Sequence, residues 1–374
     1  MVEINYKQNR ALRPHGALTF FIPLLLLLLV WGSSKFIFSS LVSASHWIWV
    51  ISLAFMGMAH GSLDLHIQQW SRNGEFRAKG WNRFFWYIFL MLVTSALFFL
   101  FPLLTTLGFL ILTAVHFGEA DRVHAIECFG KSTGIPKSWS WIRGALVVAI
   151  PSILYSQQTW QPFYFLSDQQ FNPRIDLVIS AFGYTLLATT LIIAIIGSIG
   201  RDIRWNSFGV TAFLFESVVC FIWFINIPPM LAIGGYFLAL HSTKHMIRLS
   251  HLKQQIFKNS STIKNILRLH IDALWLGIPA YIVVIFWSFF VNASLVYSLA
   301  FASIGFYLIS TFPHHILVAK IPIREFNNDH SESELNHSIQ KVSSIFPSFG
   351  MRSSNNSIYT QTSTDGVRSS SQLE

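Results

Sequence analysis

Long apolar stretches follow one another through most of this chain, and the short connections between them carry nearly all of its charge. Ten stretches stand out, at about 17–42, 46–70, 83–101, 103–123, 140–156, 175–199, 207–226, 228–250, 270–292 and 294–319. A helix that spans a bilayer needs roughly 20 residues, with a range of about 17–25, and these lengths meet it. Of the 374 residues only 11% are charged while 52% are hydrophobic. A soluble domain is about 25% charged, and so few polar groups would leave too much apolar surface uncovered in water. The expected fold is an all-α polytopic membrane protein, a bundle of about ten transmembrane helices.

The charges test that count. Lys7, Arg10 and Arg13 precede the first stretch, and Arg72, Arg77, Lys79 and Arg83 lie between the second and third. Arg122, Lys131, Lys137 and Arg143 follow the fourth, Arg201 and Arg204 the sixth, and Arg248, Lys253, Lys258, Lys264 and Arg268 the eighth. Lys320 and Arg324 follow the tenth, whereas the alternate connections are nearly free of Lys and Arg. This strict alternation predicts a multi-pass protein of the plasma membrane with both termini in the cytoplasm. It also accounts for the net charge of +9 without a nucleic-acid partner.

The apolar run at 18–31 is too long for a signal-peptide core and reads as the first helix. Cys128 and Cys220 form no disulfide framework or cysteine metal motif. Three regions follow: a cytoplasmic segment 1–16, a helical membrane domain 17–320, and a polar tail 321–374 that lacks the apolar residues to build a core. Pro102 marks a kink or re-entrant turn between the third and fourth stretches.

Within the apolar stretches lie His60, His116, His241 and His245, with His314 near the end of the last one. Ionisable residues are costly in hydrocarbon and mark functional interiors, and histidine is the commonest metal ligand. At about 1.5 Å per residue, His60, His116 and His241 each lie roughly 20 Å below the outer ends of their helices. His245 falls about one turn deeper and His314 roughly one more. His241 and His245, spaced i, i+4, share one helix face. The agreement in depth points to a metal site, against a plainer reading as hydrogen bonds between helices.

Nearby acids have two readings. Asp64, one turn after His60, and Asp121, shortly after His116, either orient an imidazole or pair with basic residues at the membrane boundary. Glu216, mid-helix with no adjacent charge, either orients a ligand or stands protonated against a neighbouring helix. Lys244 and Arg248 are expected to snorkel to the surface. His46, His66, His124, His251 and His270 fall at boundaries, where structural roles are expected; His15, His330 and His337 lie outside the bundle.

The motifs Ala59-His60-Gly61-Ser62-Leu63-Asp64, His116-Phe117-Gly118-Glu119-Ala120-Asp121, Pro228-Pro229 leading to His241-Ser242-Thr243-Lys244-His245, and Pro313-His314 occur in order. Together they resemble the bacteriorhodopsin-related (Brp/Blh-type) β-carotene 15,15′-dioxygenases over about 46–320. The resemblance implies cleavage of β-carotene by O2 at its central double bond to give two all-trans-retinal. It implies non-haem Fe(II) held by His60, His116, His241 and His245, with Glu216 and His314 at further family positions, and retinal delivered to a microbial rhodopsin. Ala59 departs from the proline often found there.

The residues alone leave the metal open, since imidazoles suit iron, zinc or copper. A long apolar substrate would arrive from the membrane lipid into an aromatic and aliphatic pocket. Three rivals stand beside this reading. A di-iron hydroxylase or desaturase would need about eight ligands, a haem protein would use axial histidines, and a transporter would leave its substrate unchanged.

Overall fold

The structure, a computed structural model, describes residues 16–37, 44–57, 61–64, 80–130, 133–167, 172–201, 207–256 and 262–319, with 203, 205, 321 and 323. All of its regular structure among these residues is helical. The helices are α1 (Gly16–Ile37), α2 (Ala44–Ser52), α3 (Gly80–Leu100), α4 (Pro102–Phe129), α5 (Ser138–Leu154) and α6 (Ser156–Leu166). Then follow α7 (Pro173–Ser198), α8 (Phe208–Asn226), α9 (Pro229–Tyr236), α10 (Thr243–Ile256), α11 (Thr262–Ser288) and α12 (Leu295–Val318). Residues 1–15 of the expected segment 1–16 and almost all of the expected tail 321–374 lie outside the described residues, as does His60.

Every predicted apolar stretch overlaps a helix. Among the described residues five helices are long and apolar enough to cross a membrane: Pro102–Phe129, Pro173–Ser198, Phe208–Asn226, Lys264–Ser288 and Leu295–Val318. Four others, Ala17–Ser33, His46–Gly57, Phe84–Leu100 and Ser138–Leu154, are apolar but shorter. The stretch expected at 228–250 is different again, because its second half, α10, carries Lys244 and Arg248. The α6 helix was not anticipated.

Local sequence explains the breaks. Pro102 occupies the first turn of α4 after Phe101, a position where the missing amide costs nothing. The same device starts α7 at Pro173, where the Asn172 side chain accepts from the Arg174 amide at 3.0 Å. Pro228 and Pro229 end α8 and start α9. Trp223 then ties the two helices by donating its indole N–H to the Ala232 carbonyl at 2.8 Å.

Burial distinguishes centre from rim. In α7 and α11 only 22% of the apolar window is buried, against 56% in α12. Exposed Leu177, Ile195, Ile196, Trp275 and Phe286 on the outer pair suit a lipid surrounding. The α12 helix packs against α2, α3, α4, α6 and α11. It thereby carries His314 into the interior.

Two backbone features set the site. The α4 and α5 helices touch through Gly118 and Gly144: a Cβ on Gly118 would run into the Ser140 carbonyl, and one on Gly144 into the Ala114 carbonyl. Small residues permit such close contact of helices in membranes. The second feature is a π-helical segment, Phe237–Ser242, joining α9 to α10; the Thr243 hydroxyl bonds the Leu238 carbonyl five residues back at 3.1 Å. Such π turns inside helices are frequent at functional sites, and His241 stands in this one.

Candidate metal centre

Four imidazoles from three parts of the chain come together: His116 of α4, His241 of the π segment, His245 of α10 and His314 of α12. The ring centres of His116 and His241 are 5.0 Å apart, those of His116 and His314 4.9 Å, and those of His245 and His314 5.9 Å. All four are buried. Aromatic neighbours fix His241, with Phe117 at 4.3 Å and Phe237 at 5.6 Å between ring centres.

Two of the rings have a group behind them. His314 Nδ1 donates to Asp64 Oδ2 at 2.7 Å, and the Tyr87 hydroxyl donates to the same oxygen at 3.2 Å. His116 Nδ1 lies 3.3 Å from Nδ1 of His315, one donating and the other accepting. Of the two readings of Asp64, the structure therefore favours a carboxylate that orients an imidazole, although the ring is His314.

A cavity of about 340 Å³ runs past these rings, with His116, His241 and His314 in its wall. Gln158, Pro162 and Met230 also line it, as do Phe84 and Ile88 of α3 and Leu276 and Val283 of α11. The last four side chains are exposed. The remaining wall is mostly apolar.

A second buried polar group lies behind the imidazoles, away from the cavity. Arg143 Nη2 reaches Asp121 Oδ2 at 2.7 Å and Glu216 Oε1 at 2.8 Å. Lys244 Nζ reaches Asp121 Oδ1 at 2.9 Å and also pairs with Glu216 Oε1. The Tyr236 hydroxyl donates to Asp121 Oδ2 at 2.9 Å. Two acids thus face two bases, none more than 1% exposed. An isolated charge in such a place would be prohibitively costly, and mutual pairing is what permits it.

The family model described as Beta-carotene 15,15'-dioxygenase matches residues 51–321, well over half of the chain. This chain belongs to that family. No curated protein and no solved structure matches it. In this β-carotene 15,15′-dioxygenase family member, the matched region contains every imidazole just described.

Several expected residues take other places. Glu216 faces Arg143 and Lys244 rather than an imidazole, because a buried carboxylate gains more from full charges. Asp121 takes the ion-pair reading, in the interior rather than at the boundary. Lys244 does not snorkel: at 1% exposed it closes the charged group. Arg248 pairs with Glu127 at 2.9 Å. Arg143, counted above as a loop charge, is inside α5. Sequence reasoning missed Tyr87 and Tyr236, and it weighed His315 only as half of the His314-His315 pair that a di-iron enzyme would use. Away from the cluster, His46 stacks on Tyr297 at 3.7 Å and His270 bonds the Ile266 carbonyl at 3.0 Å.

The spacing of the rings bears on whether they can share a metal. A metal–nitrogen bond of about 2.1 Å puts the centres of two rings on one ion roughly 4.5–5.5 Å apart. The two pairs made by His116 fall in that range, and the His245–His314 pair is slightly wider. Among the described residues no three His, Cys, Asp or Glu donors converge on one point, and His60 lies outside those residues. The donor chemistry therefore suits a metal held by imidazoles, while among the described residues the spacing brings the rings together in pairs and not in threes.

Proposed function

We propose that this chain is a β-carotene 15,15′-dioxygenase that uses Fe(II) to cleave β-carotene with O2 into two all-trans-retinal. The observation that carries the reading is that His116, His241 and His314 line one largely apolar cavity, with His245 beside His314, in a chain of that family. His60, His116, His241 and His245 are the residues that would hold the iron. When bound, iron supplies the activation of dioxygen that an unaided alkene lacks. The central double bond breaks, and each of its carbons takes one oxygen atom of the same O2, so no further reductant is needed.

The protein's own part is positioning. Phe117 and Phe237 fix the His241 ring, and the apolar walls exclude water from the reacting double bond. The flank between α3 and α11, where cavity-lining side chains also face outward, is the path for a polyene dissolved in the bilayer. Five full-length apolar helices support a multi-pass protein. We place it in the plasma membrane with both termini cytoplasmic, and a microbial rhodopsin is the natural recipient of the retinal.

Expression in bacteria that accumulate β-carotene tests this directly. Pigment loss with retinal in extracts is expected, abolished in His60→Ala and His245→Ala. Unchanged pigment despite good membrane expression would overturn it.

A further inference from the structure

The family resemblance supplies four ligands, and the structure adds a fifth imidazole with the attributes of a ligand. We infer that His314 binds the same metal, and that Asp64 is its positioning residue. The inference rests on the reading above that a metal is bound here.

Three observations carry it. First, the His314 ring is buried in the cavity wall between its partners: its centre lies 4.9 Å from that of His116 and 5.9 Å from that of His245. It thus bridges α4 and α10. Second, the nitrogen facing away from the cluster is already committed. Nδ1 makes a 2.7 Å bond to Asp64 Oδ2, and an ionised Asp64, which only accepts, puts the proton on Nδ1. That leaves Nε2 as the lone-pair nitrogen, the tautomer a metal requires, held by the kind of carboxylate partner that ligating histidines commonly have. Third, the partner is itself built in. Asp64 is only 1% exposed and also accepts from Tyr87 at 3.2 Å. The arrangement therefore draws on α3, α12 and the Gly61–Asp64 stretch. A histidine serving only to join helices would need no such backing.

The experiment uses full-length protein in detergent, stripped with chelator and titrated with Co(II), whose visible d–d bands report its ligands. Wild type is expected to bind one Co(II). In His314→Ala the affinity falls at least as far as in Asp64→Ala and the bands shift, and in His314→Gly added imidazole restores the wild-type bands. Loss of an orienting partner typically weakens metal affinity by about 10–100-fold, and Asp64→Ala should fall in that range. Asp64→Asn, which still accepts from Nδ1, should regain most of the loss. Wild-type affinity and bands in His314→Ala would overturn the inference while leaving the proposed function standing. Should His314→Ala not assemble, wild-type affinity in Asp64→Ala overturns it equally. A wild-type protein that binds no Co(II) and no Fe(II) removes both readings together.

Discussion

The two buried polar groups of this bundle share helices α4 and α10 and do opposite things. His116 and Asp121 are little more than a turn apart on α4; His241 and His245 flank Lys244 in sequence. Yet His116, His241 and His314 line a cavity, while Asp121, Glu216, Arg143 and Lys244 pair with one another. Groups that balance their charges internally can be sealed away, and then they fix helices. Groups that must receive a metal and a substrate need open space on one side. Helix α10 carries both faces, so the charged set behind it determines where its histidines point.

The sharpest way to break this contrast is to truncate one member of each group. His116→Ala should reduce retinal formation to background while the protein still melts within about 2–4 °C of wild type, a stability change of around 1 kcal/mol. Pigment assays and thermal unfolding in detergent measure the two. A variant that unfolds but retains turnover per folded molecule would reverse the roles assigned here.

Lys244→Met should do the converse. Removing one partner of a buried ion pair costs about 3–5 kcal/mol, because the other charges are left uncompensated. The double variant Lys244→Met/Glu216→Gln removes one base and one acid together and should recover part of that loss. Folded yield and unfolding midpoint are the measurements. Equal losses in the single and double variants would mean that the pairing is not what holds α8 to α10.

How far the sequence reveals each group follows the same division. Helix positions follow from hydropathy, which is local, and so do the prolines that end them. His116, His241, His245 and His314 are visible because a histidine in an apolar run is conspicuous and their depths agree. The charged set is not visible in this way. Arg143 and Lys244 lie near helix ends, where positive charge is expected anyway, and only the close contact of α4 with α5 brings Arg143 to Asp121. The stretch at 228–250 differs for a related reason: α10 continues an apolar helix but turns charged side chains inward, and no window average separates that from a surface.

The contact between α4 and α5 offers a smaller test. Gly118→Ala and Gly144→Ala each place a methyl group against a backbone carbonyl of the facing helix, and overpacking of this kind costs about 1–3 kcal/mol. Because the contact positions Arg143, the loss should overlap with that of Lys244→Met rather than add to it. Full additivity of Gly144→Ala with Lys244→Met, read from unfolding midpoints, would uncouple the helix contact from the charged group.

The smallest expected effect concerns the open side of the imidazole group. Ile88 on α3 and Ala280 on α11 line the cavity, and neither belongs to the imidazole set or to the four buried charges. Ala280→Trp should narrow the path between these helices. It leaves the imidazoles and the charged set in place, so metal content and unfolding midpoint should match wild type. The rate of β-carotene cleavage at low substrate should fall less than about tenfold, under roughly 1.4 kcal/mol in the barrier, with the deficit shrinking as substrate rises. A shorter apo-carotenal, which presents one bulky ring instead of two, should be affected less. If Ala280→Trp instead depresses the rate equally at all substrate levels, the substitution has reached the reacting centre, and this flank is not where substrate passes.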